Sequence, residues 1–102
     1  MRMTCYVLDG HEVRGEPDML TWGRWFESAN RVVAGTKVGK ALVSTVFLGL
    51  DHNWGDGPPI VFETLVFGGP HDGEEERYAT WEEAERGHAV MVKRVRASQV
   101  ET

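Results

Sequence analysis

Runs of β-branched and aromatic residues dominate the middle of the chain. Residues 41–50 (Ala-Leu-Val-Ser-Thr-Val-Phe-Leu-Gly-Leu) and 60–67 (Ile-Val-Phe-Glu-Thr-Leu-Val-Phe) fit a pleated, half-buried surface and predict two central strands. A shorter run over residues 4–8, closed by Asp9 and Gly10, predicts a first strand followed by a turn or hairpin. The charged residues 74–79 predict a polar edge strand, where charge discourages pairing with another chain. Residues 32–38 fit a short strand or the frayed exit of a helix, and Gly35 and Gly39 argue against a continued helix.

Two segments change to the helical period. Met19, Trp22, Phe26, Ala29 and Val33 recur at helical spacing behind Pro17, which predicts a helix over about 17–31. Thr80, followed three residues on by Glu83, forms a capping box. It opens a second helix with the stripe Trp81, Ala84, His88, Met91, Val92 and Val95. Lys93, Arg94 and Arg96 are read as complementing its C-terminal dipole, and residues 97–102 as a loose tail. Hairpin-length links join the central strands, so the order predicts an α+β fold. It is a small antiparallel sheet of four to five strands with two helices packed on one face.

Composition narrows the classes. The 102 residues make one domain, and 41% apolar content with four Trp supplies a packed core. A formal charge of −5 repels a phosphate backbone and argues against direct nucleic-acid binding. The lone Cys5 allows no intrachain disulfide, and the opening residues lack the apolar run of a secretory signal. No stretch has the length of a membrane span. The expectation is a cytoplasmic protein with no membrane partner and no cofactor.

The connection 51–59 is longer than a hairpin needs. It gathers Asp51, His52, Asn53, Trp54, Gly55, Asp56 and Gly57 ahead of two prolines. Such a loop offers carboxylates, an imidazole, an indole and accessible backbone to a small polar ligand, although the same residues also build any wide turn. Trp54 with Gly55 and Gly57 would serve a nucleotide, the indole stacking a base and the backbone meeting phosphate. Asp51 with His52 and His71 with Asp72 would suggest a metal, but a simple meander sets their turns at opposite ends of the sheet, and no metal-ligand spacing is present. Glu63 interrupts an apolar strand, with Val61 and Leu65 assigned to its face. Trp25 is rotated away from Trp22 and Phe26. Trp25, Val61, Glu63 and Leu65 are therefore the expected interface of a homodimer. His88 on an apolar stripe is read as a hydrogen-bonded core histidine, Cys5 as a small buried apolar residue, and Ser44 and Thr45 lack a nucleophile context.

Three stretches carry a resemblance: Ser-Thr-Val-Phe-Leu-Gly-Leu-Asp-His-Asn-Trp at 44–54, Gly-Pro-Pro-Ile-Val-Phe-Glu-Thr-Leu-Val-Phe-Gly-Gly at 57–69, and Glu-Arg-Tyr-Ala-Thr-Trp-Glu-Glu-Ala-Glu-Arg-Gly-His at 76–88. Across roughly residues 42–96 the chain resembles small uncharacterised proteins of bacteriophages and prophages. The resemblance implies a phage context and assigns no catalytic residue. The expected function is that of a non-enzymatic accessory protein counteracting a host system, by sequestering a small nucleotide signal or by binding a host protein. The alternative is a small metal-dependent hydrolase or nuclease using Asp51, His52 and Glu63, and a virion assembly role is a third reading.

Overall fold

The computed structural model describes residues 4–100. Residues 1–3, and 101 and 102 of the expected tail, lie outside them. A hairpin of β1 (Tyr6–Asp9) and β2 (Glu12–Gly15) leads into α1 (Met19–Ser28). The strands β3 (Val32–Val38), β4 (Ala41–Phe47), β5 (Phe62–Phe67) and β6 (Glu75–Tyr78) follow, and α2 (Trp81–Val100) closes the order. The chain is a small α+β fold with two antiparallel sheets, one of two strands and one of four in the order β3-β4-β5-β6.

The first strand leaves the main sheet and pairs instead with β2, a strand that period alone did not separate from its turn. The hairpin is tied back to the body through the Cys5–Leu50 bridge and backbone bonds from Tyr6 to Gly49 and from Asp51 to Thr4. His11 at its tip stacks on Trp81 with ring centroids 3.8 Å apart.

Helix α1 is shorter than the predicted 17–31. The Asp18 carboxylate accepts from the Leu20 amide and the Thr21 hydroxyl, so Asp18 is the cap and Pro17 precedes it. At the other end the Asn30 side chain accepts from the Val32 amide. That local bond competes with helix continuation, and Val32 and Val33 then enter β3. The strand 41–50 ends at Phe47 because Gly49 turns with φ of 79°. A Cβ at that position would stand 3.2 Å from both the Trp22 and Phe26 rings, so α1 packs directly against this turn. The strand 60–67 begins in register only at Phe62.

Helix α2 runs through Val100, so the tail expected from residue 97 is helical as far as it is described. The turn between β5 and β6 pins it: His71 bonds both Glu74 and Ser98, and Arg94 donates to Glu74 at 2.8 Å. These two partners hold the Glu74 carboxyl below the usual carboxylate range, the His71 bond first. The longer helix also moves Lys93, Arg94 and Arg96 out of its last turn, which removes the dipole as their reason.

The capping box forms as predicted, with the Glu83 amide donating to the Thr80 hydroxyl and the Glu83 carboxylate accepting from the Thr80 amide. The α2 stripe packs on the face of the sheet that carries Ala41, Val43, Thr45 and Phe47, all buried. Trp25 of α1 reaches that same face, edge-on to Phe47.

Candidate functional site

Two apolar clusters lie beneath the helices. One holds Val38, Ala41, Val43, Val66, Met91, Val92 and Val95; the other holds Phe47, Val61, Phe62 and Ala84. Between them the sheet contributes polar side chains. Tyr78 on β6 donates to the Thr64 hydroxyl at 3.0 Å. Thr64 meets Thr45 at 2.6 Å, Thr45 meets His88 Nδ1 at 2.7 Å, and His88 Nε2 meets Thr36 at 2.9 Å. This chain crosses all four strands under α2.

Proton accounting fixes its direction. Each hydroxyl carries one hydrogen. Thr64 accepts from Tyr78 and so donates to Thr45, Thr45 donates to Nδ1 of His88, and the proton of a neutral His88 sits on Nε2 and goes to Thr36. With Tyr78 as the donor at one end, any other order leaves a buried hydroxyl hydrogen without an acceptor, which costs about 1–3 kcal/mol. His88 is 7% exposed, and burial holds its imidazole below the ordinary value, in keeping with the neutral form. Burial likewise raises the Tyr78 phenol. His88 is thus the hydrogen-bonded core histidine that its helical position predicts, but its partners Thr36 and Thr45, and Thr64 and Tyr78 beyond them, were not foreseen. The signal was the inward alternation of Thr36, Thr45 and Thr64, three hydroxyls on strand positions otherwise filled by apolar residues such as Val, Phe and Ala.

The loop 51–59 is tied to itself. The Asp51 carboxylate accepts from the Asn53 and Ile60 amides at 2.8 and 3.0 Å. The Asn53 side chain accepts from Gly55 and donates to the carbonyls of Asp56 and Pro58. His52 donates its amide to Ile60 across the neck. Asp51 and Asn53 therefore shape the loop, and Trp54 stands from it 97% exposed.

The interface residues do not stay together. Glu63 lies on the sheet face turned away from α2, paired with Arg77 at 3.0 Å. Leu65 shares that face with Val32, Leu42 and Phe67, three exposed apolar side chains. Val61 is a correction: it is fully buried in the second cluster. Tyr6, Leu8, Val13 and Trp25 add a further apolar layer at that end of the sheet, so simple alternation does not decide exposure there. Trp25 is half-buried, but it packs edge-on to Phe47 on the helix-covered face of the sheet, apart from Glu63 and Leu65.

Among the described residues no three His, Cys, Asp or Glu side chains group to hold a metal, so Asp51, His52 and Glu63 are not gathered into such a set. No described helix is long and apolar enough to cross a membrane. No protein family, curated protein or solved structure was found to match the chain.

Proposed function

We propose that the chain is a non-enzymatic binding protein that engages a protein partner through the loop 51–59, with Trp54 as the anchor. The observation that carries this reading is a tryptophan 97% exposed on a loop already ordered by the Asp51 and Asn53 bonds. Exposed Trp is a favoured anchor of protein interfaces, and a loop ordered before binding loses little entropy on association. Asp51 and Asp56 give this loop acidic character, which favours a basic protein surface over a nucleotide phosphate. In the phage context implied by the resemblance, the partner is a host protein whose activity the contact blocks. The fully exposed position also means that Trp54→Ala leaves folding stability unchanged within about 0.5 kcal/mol.

The test is affinity purification from bacterial lysate with quantitative mass spectrometry, comparing wild type with Trp54→Ala. A partner held by wild type and lost by the variant, then reproduced with the two purified proteins, supports the reading. Identical retention by both sinks it. Self-association is a second reading, carried by the exposed Val32, Leu42 and Phe67 beside Leu65 on the open sheet face, where a second copy of the chain would cover apolar surface.

A further inference from the structure

The polar chain under α2 ends at Thr36, beside a groove between β3 and α2. The groove has a volume of about 460 Å³ and is lined by Thr36, His88, Ala89, Val90, Val92, Lys93 and Arg96. That size is within the range of small-molecule sites. None of its lining residues is acidic, in a chain whose net charge is −5. The spacing is regular. His88, Val92 and Arg96 repeat every four residues, and Ala89 and Lys93 form the adjoining row, so one side of α2 faces the groove with apolar residues toward its N-terminal end and cations beyond.

Three donors remain for a ligand. Thr36 accepts from His88 Nε2, and its own hydroxyl hydrogen is then left to donate onward. The hydrogen bonds behind it run in one direction and strengthen it as a donor. Lys93 and Arg96 are exposed, and neither is in an ion pair among the described residues, whereas Arg14, Arg77 and Arg94 all are. The helix dipole does not account for them, because neither is in the last turn of α2. A hydroxyl donor and two cations around an apolar floor match an oxyanion attached to an apolar body.

We infer that the groove formed by Thr36, Lys93 and Arg96 over Ala89, Val90 and Val92 binds the phosphate group of a small molecule of nucleoside monophosphate size. This site is separate from the loop 51–59 and stands whether or not Trp54 anchors a protein.

The experiment is a nuclear magnetic resonance titration of the isotope-labelled full chain at constant ionic strength, first with inorganic phosphate and then with adenosine monophosphate. The expected result is saturable shifts confined to the Thr36, Ala89 and Lys93 amides and the His88 imidazole nitrogens. Tighter binding of adenosine monophosphate assigns the site to a nucleotide, and equal affinity assigns it to free phosphate. The double variant Lys93→Gln, Arg96→Gln changes exposed side chains only and weakens binding by about tenfold or more. Absence of saturable shifts, or shifts that persist unchanged in the double variant, overturns the inference.

Discussion

At the scale of the residue, Thr45 is the critical member of the buried chain, because its hydroxyl both accepts from Thr64 and donates to His88. Thr45→Val keeps the shape and removes both bonds, leaving the Thr64 hydroxyl hydrogen and His88 Nδ1 buried without partners, although Thr64 still accepts from Tyr78. The expected cost is about 1–3 kcal/mol, read as a lower urea midpoint with an unchanged slope; an unchanged midpoint would contradict the bonds of Thr45 to Thr64 and His88. His88 also predicts a pH dependence. Its folded value is lowered by burial, so the unfolded chain binds the proton more readily. The stability it contributes is complete above the ordinary value of 6.5 and declines as pH falls below it. The lowered Glu74 acts in a more acidic window, below its ordinary value of 4.5, so a urea midpoint that drops between pH 8 and pH 5.5 reports on His88. In His88→Gln that drop is expected to shrink.

At the scale of the element, α2 contains Gly87 in its interior, where alanine ordinarily stabilises a helix by about 1 kcal/mol. Here a Cβ would stand 2.2 Å from the Tyr78 ring. The ring would have to leave its place, and with it the bond to Thr64. Gly87→Ala is therefore expected to destabilise, and a higher melting temperature would show that Tyr78 moves without loss. The capping box of this helix was legible because its residues are adjacent in sequence, and so was its buried stripe. The bounds of α1 were not, since they depend on which side chain caps first: Asp18 at the start and Asn30 at the exit. The end of α2 escaped notice for a different reason. It is held by His71, which bonds Ser98 27 residues on, and Glu74, which bonds Arg94 20 residues on.

At the scale of the whole molecule, the sheet order and the opposite placement of the two turns follow from short links between antiparallel strands, and both were legible. The hairpin signal at Asp9 and Gly10 was legible, but the seat of the hairpin apart from the main sheet, the burial of Val61 and the packing of Trp25 were not, because each depends on a contact between the first and second thirds of the chain. In the candidate sites, the residues of the loop 51–59 were legible, but their division into frame and anchor required geometry. The open sheet face gives a further expectation. Light scattering is expected to find wild type as a dimer and Leu65→Lys as a monomer, and a monomeric wild type would end the self-association reading.

The N-terminal hairpin meets the rest of the protein through the Cys5–Leu50 bridge, backbone bonds to Gly49 and Asp51, the Trp22 indole bond to the Tyr6 carbonyl, the packing of Tyr6, Leu8 and Val13 on the Phe47 cluster and the stacking of His11 on Trp81. The four-stranded meander, by contrast, pairs each strand with its neighbour in sequence and is sealed by α2. Such a division predicts two opening events of different free energy. Amide hydrogens of β1 and β2 should exchange with deuterium well before those of β4 and β5. The hairpin would then be a detachable flap over the Phe47 cluster, able to swing out while the meander stays folded.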